Sequence, residues 1–387
     1  MNKIMIPIIF SLLIFFSCSK PQKQTSADNK EKERLSSKEV VSNKGDDNYA
    51  IETYVENLEV PWAIAWTDKD RMLVNERPGR VRIVNNGKLQ DAPLLEVKEV
   101  SSDAEEGLMG LCVDPNYNEN KFIYISYAYG GSKLFVKVVR YKDNGSYLSG
   151  EKILIDKIQA AHLHAGCRIK FGPDGKLYIT TGDATDGKIA QDLNNLGGKI
   201  LRINSDGSIP EDNPFANSPV WSYGHRNPQG IDWYPGSSIL FETEHGPSGF
   251  DGPGGGDEVN IITKGSNYGW PLVSHSGSKE GMVSPLLVFT PAEAPGSAMF
   301  YKSGVIPQFK NNFFFGCLRG RGIIRVVVDE TNPEKVLSYE KFKGIDFGRI
   351  REVAEGPDGA IYFSTSNKDG RGNPASGDDR IMRIVKK

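Results

Sequence analysis

Residues 221–236 hold a dense group of polar side chains between short apolar runs. Arg226, Asn227 and Gln229 lie in the segment GHRNPQG, and His245 follows in EHGP after a short apolar strand. Glycine, proline and serine clusters flank this strand, so these polar groups are predicted to lie on loops anchored by rigid strands. Loops of this kind carry binding and catalytic residues in many folds. The segment therefore indicates a ligand site.

His164 lies in the segment HLHAGCRIKF, directly before the best-defined strand of the sequence. Histidine has the side chain whose ordinary pKa lies nearest neutrality, so an imidazole on a loop can accept a proton at working pH. His162, two residues earlier, is the alternative base, and Arg168 is expected to hold the loop by hydrogen bonds. A single histidine is more often structural, so this chemistry needs partners from elsewhere in the chain.

Arginines recur on other predicted loops. Arg319 lies in CLRGRG, and Arg349 and Arg351 alternate in GRIREV, which puts both side chains on the same face of a strand. Arginine forks bind carboxylates through paired hydrogen bonds. If these groups converge with Arg226, they favour a polyanionic ligand.

The segment 244–258 is rich in oxygen donors. It offers Glu244, Asp257 and Glu258, together with a glycine-rich loop whose carbonyl groups are not committed to strands. Calcium prefers carboxylate and backbone oxygen ligands. Because the spacing differs from that of an EF-hand loop, the pattern alone leaves a calcium site and a carboxylate-capped turn as alternatives.

A recurring module predicts the fold that positions these groups. FGPDGKLYITTGD at residues 171–183 reappears as EGPDGAIYFSTSN at residues 355–367. Weaker relatives begin at residues 66, 113, 233 and 306. Each is a turn-rich stretch, a short apolar strand and a polar exit, and segments such as FGPDG and TGDATDG indicate turns.

Six such units over about 340 residues predict an all-β, six-bladed β-propeller with four-stranded antiparallel blades at residues 49–387. The polar exits belong to different blades but face one axis, so distant residues can converge there. A β-sandwich or two small barrels are the alternatives.

The first 48 residues carry targeting signals. Residues 1–18 have a basic start, an apolar core and a serine directly before Cys18, which is typical of a bacterial lipoprotein signal; ordinary signal cleavage is the alternative. The core is shorter than the roughly 20 residues of a membrane-spanning helix. Residues 19–48 are polar and predict a disordered tether. We therefore expect an exported protein, periplasmic or at the cell surface, that meets the membrane only through its lipid anchor.

Charge and cysteine content narrow the function classes. The 47 basic and 49 acidic residues nearly cancel and form no basic stripe, so nucleic acid is not an expected partner. Cys112, Cys167 and Cys317 lie far apart within apolar runs, which predicts buried thiols rather than a disulfide framework, with one cross-strand pair left open. No phosphate-binding loop, dinucleotide fingerprint or GxSxG elbow occurs.

Several motifs follow one another in a recognisable order. They are HAGCRIKFGPDGKLYITTGDA, AQDLNNLGGKILRINSDGSIPEDNPF, SYGHRNPQGIDW, EHGP followed by DEVN, SNYGWP and APGSA. Together they resemble the soluble PQQ-dependent sugar dehydrogenases, in particular the aldose sugar dehydrogenase branch of the glucose/sorbosone dehydrogenase family, over residues 58–384. The resemblance implies a six-bladed propeller that holds pyrroloquinoline quinone (PQQ) and calcium in its central cleft, with redox chemistry supplied by the quinone.

The resemblance also implies roles for individual residues. His164 is similar to the general base that takes the proton from the anomeric hydroxyl while hydride passes from the sugar C1 to the quinone. Arg226 matches the residue that polarises the quinone carbonyl. The backbone carbonyls of Gly246 and Pro247 match the calcium ligands, and Asp257 aligns with an acidic site residue. The other cofactor contacts implied are Asn227, Gln229, His245, Arg319, Arg349 and Arg351.

Departures from the glucose enzyme bear on the substrate. Arg319 stands where that enzyme has a lysine, and His245 where it has a glutamine, a change shared with the aldose branch. The APGSA segment lacks the preceding Trp-Pro-Thr, so part of the sugar and cofactor wall differs. We expect an open cleft in which the C1 hydroxyl of several aldoses is oxidised to give lactones, with electrons passed to an external acceptor. The alternatives are a calcium-dependent propeller lactonase or hydrolase, and a non-catalytic tethered propeller that binds glycans or proteins.

Overall fold

Residues 48–387 are described by a computed structural model and form six antiparallel sheets around a central axis. Five sheets contain strands that follow one another in the chain, and one of these has a short fifth strand at its edge; the remaining sheet combines the first strand of the described residues with the last three. This is the predicted six-bladed β-propeller rather than a sandwich or a pair of barrels. The predicted signal peptide and the tether up to residue 47, including Cys18, lie outside the described residues.

The chain enters the fold through β1 (Tyr49–Val55), which belongs to the last blade. Blade 1 contains β2 (Pro61–Asp68), β3 (Arg71–Glu76), β4 (Arg80–Asn85), β5 (Lys88–Leu89) and β6 (Leu95–Glu96). Blade 2 contains β7 (Leu108–Val113), the short helix α1 (Tyr117–Asn120), β8 (Phe122–Gly130), β9 (Leu134–Asp143) and β10 (Leu148–Ala160). Blade 3 contains β11 (Ile169–Phe171), β12 (Leu177–Thr181), a 3-10 turn (Gly187–Gln191), β13 (Lys199–Ile203) and β14 (Val220–Tyr223).

Blade 4 contains β15 (Pro228–Trp233), β16 (Leu240–Glu244), β17 (Asp257–Ile262) and β18 (Leu287–Phe289). Blade 5 contains β19 (Pro295–Phe300), a 3-10 turn (Pro307–Phe309), β20 (Phe313–Cys317), β21 (Gly322–Asp329) and β22 (Asn332–Lys341). Blade 6 contains β23 (Ile350–Glu355), β24 (Ile361–Thr365), β25 (Ile381–Lys386) and β1.

The two ends of the propeller chain meet in blade 6. Strand β1 pairs antiparallel with β25, with Tyr49 opposite Lys386 and Ile51 opposite Ile384. The first strands of neighbouring blades pack against one another around the axis, as β15 does with β19 and β19 with β23. The ring is therefore closed by main-chain hydrogen bonds between the first and last strands, which leaves only short strand edges exposed.

The repeated GPDG motif builds the turn between the first and second strands of a blade. In blade 3, Asp174 accepts a hydrogen bond from the main-chain N–H of Lys176 at 3.1 Å and another from the Tyr178 hydroxyl at 3.0 Å. Asp358 accepts the corresponding bonds from Ala360 and Tyr362 in blade 6, at 3.1 and 3.0 Å. The glycine after each aspartate has a φ of 71° or 74°, a left-handed conformation that favours glycine. The repeated sequence motif therefore forms the same two side-chain hydrogen bonds in blades 3 and 6.

The core lies between the sheets, and central strands such as β12, β13 and β16 are buried along their whole length. Cys112, Cys167 and Cys317 are buried in it as free thiols, as predicted. Burial raises the pKa of each of these thiols, and it raises that of Cys167 to about 12. No helix within residues 48–387 is long and apolar enough to cross a membrane.

Candidate active site

One mouth of the central channel is built from two sets of loops. The segments that precede the first strand of each blade and those that follow its second strand lie at the same end, because the two strands are antiparallel. Residues from all six blades line a cavity of about 480 Å³ there. Small-molecule sites are typically clefts of roughly 300–1,000 Å³, so this cavity has the size and place of a ligand site.

Most predicted site residues converge on this cavity. Those that line it are His164, Asn227, Gln229, His245, Gly246, Pro247, Asp257, Arg319, Arg349 and Arg351. Arg226 lies just behind the cavity wall, and Glu258 lies on the other face of its strand. The structure thus brings most of the predicted residues to one cavity and adds how they are connected.

His164 is paired with a buried carboxylate. Its Nδ1 lies 2.7 Å from Asp183 Oδ1, and Asp183 Oδ2 accepts a hydrogen bond from Trp270 Nε1 at 2.7 Å. A carboxylate beside Nδ1 fixes the proton on that nitrogen and leaves Nε2 with a free lone pair. Within the described residues Nε2 makes no hydrogen bond, while the imidazole lines the cavity. This is the arrangement of a general base oriented by a third group.

The main chain of His164 is held in a conformation that non-glycine residues rarely adopt. Its φ is 57°, in the left-handed region. The N–H of His164 donates to Glu105 Oε2 at 3.3 Å, and its carbonyl accepts a hydrogen bond from the N–H of Ala184 at 3.3 Å. A Cβ atom at Gly182 would overlap that carbonyl, which explains the glycine there. Backbone strain that neighbouring contacts maintain is concentrated at functional sites.

Arg226 is buried, and three of its donors are already engaged. Nε donates to Asp251 Oδ2 at 2.7 Å, Nη1 to the carbonyl of His245 at 3.1 Å, and Nη2 to Ser248 Oγ at 3.0 Å. A guanidinium has five N–H donors, so two remain for a ligand. The residue therefore anchors the loop after β16, directly behind residues that line the cavity.

Phe250 on that loop lies between the two predicted catalytic groups. Its ring is stacked on the imidazole of His164 with ring centroids 5.8 Å apart, and the Cζ atom of Arg226 lies 6.0 Å from the same ring. Phe250 is 60% exposed. His164 and Arg226 are consequently close enough to contact one bound molecule.

Five arginines line the cavity, and two of them have acidic partners. Arg349 Nε donates to Asp369 Oδ2 at 2.7 Å, and Arg371 Nη1 to Glu105 Oε1 at 2.8 Å. The remaining three have no carboxylate within 4.0 Å among the described residues; they are Arg77, Arg319 and Arg351. The cavity thus carries more cationic groups than the chain itself neutralises.

Arg351 is the most enclosed of these cations. Its Nη1 donates to Gln229 Oε1 at 3.1 Å, and its buried Nε has no partner among the described residues. Burial lowers the pKa of Arg351 to about 9, against the opposing charge of Asp369. A buried N–H group without a partner is costly, so this group is suited to an anionic ligand.

Oxygen donors for a cation lie on the opposite wall. The N–H of Gly246 donates to Asp257 Oδ1 at 2.8 Å, and the N–H of Ala294 to Asp257 Oδ2 at 2.6 Å. The carbonyl of Pro247 accepts from Gly255 at 3.2 Å, whereas that of Gly246 accepts no hydrogen bond from the described residues. Backbone and carboxylate oxygens together are the ligand set that calcium prefers.

Glu258 belongs to a buried acidic cluster behind the cavity. Asn260 Nδ2 donates to Glu242 Oε2 and to Glu258 Oε2, each at 3.1 Å. Burial raises the pKa of Glu244 to about 8, and burial together with the adjacent Glu244 raises the pKa of Glu242 and of Glu258. His225, Glu242 and Glu244 bring possible metal ligands within 4.8 Å of one another. Burial therefore disfavours the charged form of these carboxyl groups.

The buried His225 gives a test of the electrostatics of this cluster. It lies between Ser222 Oγ at 2.9 Å and Glu244 Oε2 at 3.0 Å, and burial with the nearby charge of Lys199 lowers its pKa to about 3. The pKa of an unfolded histidine is about 6.5. Between these values the folded state binds fewer protons, so stability is present above pH 6.5 and is lost as the pH falls.

We expect His225→Gln to flatten the dependence of unfolding free energy on pH between about pH 6 and 4, by up to about 1.4 kcal/mol per pH unit. Urea denaturation at several pH values measures this slope. His162→Gln is the control. His162 is exposed, and its hydrogen bond with Glu106 raises its pKa, whereas burial lowers the pKa of His225. Equal slopes for His225→Gln and the unsubstituted protein would contradict the assignment.

The sequence pattern of the family described as Glucose / Sorbosone dehydrogenase matches residues 58–382. The chain belongs to this glucose/sorbosone dehydrogenase family. Aldose sugar dehydrogenase YliI of Escherichia coli K12 is 33% identical over 346 residues, which cover 83% of this chain and 91% of that protein. The family resemblance seen in the motifs is confirmed.

Solved structures agree with this membership of the glucose/sorbosone dehydrogenase family. The PQQ-bound aldose sugar dehydrogenase of Streptomyces coelicolor is 30% identical with a TM-score of 0.77, over 89% of this chain and 100% of that chain. The apo-form of the soluble aldose sugar dehydrogenase of Escherichia coli is 31% identical with a TM-score of 0.77, over 88% and 100%.

Two residues at the candidate site of this family member were not predicted from the sequence. Asp183 lies in TGDATDG, which is typical of a turn, and its contact with His164 depends on how two loops of blade 3 meet. Arg77 follows β3 in NERPG, and nothing in that segment indicates a site. Both occupy the polar exit after the second strand of a blade, and this position in the repeat is the signal that could have found them.

Proposed function

We propose that this protein is an exported, PQQ- and calcium-dependent aldose dehydrogenase. It oxidises the C1 hydroxyl of aldose sugars to lactones and passes the electrons to an external acceptor. The observation that carries the proposal is a carboxylate-oriented imidazole, His164, which lines one cavity with three arginines that have no carboxylate within 4.0 Å in the described part of the chain. A tricarboxylate cofactor complements those three cations, and a base is what abstraction of a hydroxyl proton needs.

The polar wall fits such a cofactor in geometry as well as in charge. Gln229 Nε2 donates to Asn227 Oδ1 at 3.1 Å and to the carbonyl of Gly166 at 3.3 Å, and its Oε1 accepts from Arg351. This chain of amides fixes Arg351 while its Nε stays free for an acceptor. When bound, PQQ would supply the hydride acceptor and calcium a Lewis acid beside it.

The protein residues have separate tasks in this proposal. His164 Nε2 accepts the proton of the C1 hydroxyl, and Asp183 stabilises the imidazolium that forms. Arg226 directs its two remaining N–H groups at developing negative charge, as donors in water-poor sites do. The carbonyl oxygens of Gly246 and Pro247 hold calcium, with Asp257 fixing their turn. Glu258 is assigned with lower priority as a metal ligand, because it does not line the cavity.

The N-terminal segment places the enzyme outside the cytoplasm in this proposal. Residues 1–18 act as the signal peptide, Cys18 carries the lipid, and residues 19–48 tether the propeller of residues 49–387 to the membrane. Support comes from the sequence pattern alone. The propeller then meets sugars in the periplasm or at the cell surface.

A dye-linked assay tests the proposed reaction. The full chain, purified without cofactor, is incubated with PQQ and calcium, and reduction of an artificial electron acceptor is followed with a panel of aldoses. We expect reduction with several aldoses, and none when PQQ is omitted or when a chelator removes calcium. Absence of reduction with every sugar, in a folded protein, would refute the proposal. Hydrolysis of lactones without PQQ would support the hydrolase instead.

A further inference from the structure

Arg77 is a cation in the cavity wall that has no hydrogen-bond or ion-pair partner for its side chain within residues 48–387. It follows strand β3 in blade 1, and its main chain is fixed by hydrogen bonds with the carbonyl of Val60 at 3.0 Å and the N–H of Leu108 at 2.8 Å. Its guanidinium makes no hydrogen bond or ion pair with any described residue, and its buried Nε is unsatisfied. Folded proteins rarely leave such donors unpaired.

Arg77 lacks a partner although an acidic residue, Glu76, lies next to it in the sequence. Arg80 and Arg82, on the next strand of the same blade, both pair with Glu76, at 2.8 and 3.2 Å. The side chain of Arg77 instead passes over Gly107, where any Cβ atom would collide with its Cγ. The chain therefore makes room for Arg77 to reach the cavity.

Arg77 and Arg351 share this part of the cavity. Each has a buried Nε without a partner among the described residues, and each lies within the electrostatic field of the other. The carboxylates of Asp369 and Glu105 lower this repulsion through their charge, but they are paired with Arg349 and Arg371, and neither lies within 4.0 Å of a nitrogen of Arg77 or Arg351. The two guanidinium groups therefore keep N–H donors for a further anion. Because a planar guanidinium binds a carboxylate through two parallel N–H groups, a carboxylate is the anion that suits this pair.

We propose that Arg77 is a cofactor-binding residue that, together with Arg351, holds one carboxylate group of the bound cofactor. This inference rests on the proposed function, since it takes the cofactor to be a polycarboxylate. It assigns to blade 1 a binding role that the motif comparison did not give to any of its residues.

Cofactor binding by variants tests the assignment. PQQ is titrated into the cofactor-free full chain, and the dissociation constant is measured by calorimetry. A hydrogen bond to a charged group contributes enough to predict about 10- to 100-fold weaker binding for Arg77→Gln. Arg82→Gln is the matched control, because Arg82 lies in the same blade, is paired with Glu76 at 3.2 Å and does not line the cavity; we expect it to change the constant less than threefold.

Thermal melting without PQQ separates binding from a structural role. Because Arg77→Gln removes an unpaired, partly desolvated cation, the cofactor-free variant should melt at the same temperature as the unsubstituted protein or higher. Equal PQQ affinity of the variant and the unsubstituted protein would overturn the role of Arg77 while leaving the proposed function intact. A lower melting temperature of the variant together with unchanged PQQ affinity would show that Arg77 has a structural role and not a binding role. Failure of the unsubstituted protein to bind PQQ would overturn both.

Discussion

The variant His164→Ala is expected to lose about 10²- to 10⁴-fold in kcat for aldose oxidation while its affinity for PQQ stays within a few-fold of the unsubstituted value. The imidazole lines the cavity and has a free Nε2, so its loss removes the proton acceptor. The cofactor contacts assigned to the arginines and amides are untouched. Steady-state dye reduction at saturating PQQ and aldose gives kcat, and a separate titration gives the affinity.

His162→Ala is the control for that experiment. His162 lies two residues away and is the other candidate base, but its side chain is 57% exposed and its Nδ1 bonds Glu106 at 2.8 Å. It does not line the cavity. We expect the activity of His162→Ala to stay within about twofold, as surface substitutions seldom matter. Full activity of His164→Ala, or loss of activity in His162→Ala, would indicate that His162 is the general base.

The variant Asp183→Asn is expected to lower kcat by about 10²-fold or more, although it is almost isosteric. Asp183 accepts from three donors, since Oδ1 bonds both His164 Nδ1 and the N–H of Thr185 and Oδ2 bonds Trp270 Nε1. An amide has one oxygen and cannot accept on both sides. When that oxygen faces Trp270, the amide N–H group faces Nδ1 and forces the proton onto Nε2, so the base is lost.

Trp270→Phe separates this tautomer effect from a general structural one. Alone it should lower activity only modestly, because the carboxylate still accepts from His164. Combined with Asp183→Asn it frees the amide to turn its oxygen toward His164, so the double variant should be more active than Asp183→Asn alone. The pH dependence of kcat should recover in parallel. No recovery in the double variant would show that Asp183 does not act through the tautomer of His164.

The propeller could be predicted from the sequence because each blade repeats a turn that is specified by residues close together in the chain. The GPDG turns need an aspartate as acceptor, a glycine with positive φ and a tyrosine four residues after the aspartate, and both clear repeats contain all three. Blade number then follows from counting modules. The closure of the ring by β1 was not predicted, since pairing of Tyr49 with Lys386 joins residues at opposite ends of the domain.

The members of the site could also be predicted, but not their connections. Segments before a first strand and after a second strand carry most of the polar residues, and the structure brings His164, Gly246 and Arg349 from such segments to one cavity. Which of these side chains form ion pairs or hydrogen bonds depends on distances between blades, and the sequence does not give those distances. The sequence gives no reason why Arg349 is neutralised by Asp369 while Arg351 is not, or why Arg226 bonds the loop that carries Phe250.

The central claim is that the cavity around His164 holds PQQ in a position where an aldose can reduce it. The most direct measurement is a single turnover without oxygen or dye: the protein is loaded with one equivalent of PQQ and calcium, an aldose is added, and the absorption spectrum of the cofactor is followed. We predict complete conversion to the reduced cofactor, one equivalent per chain. A bound cofactor that stays oxidised in the presence of every aldose tested would contradict the account.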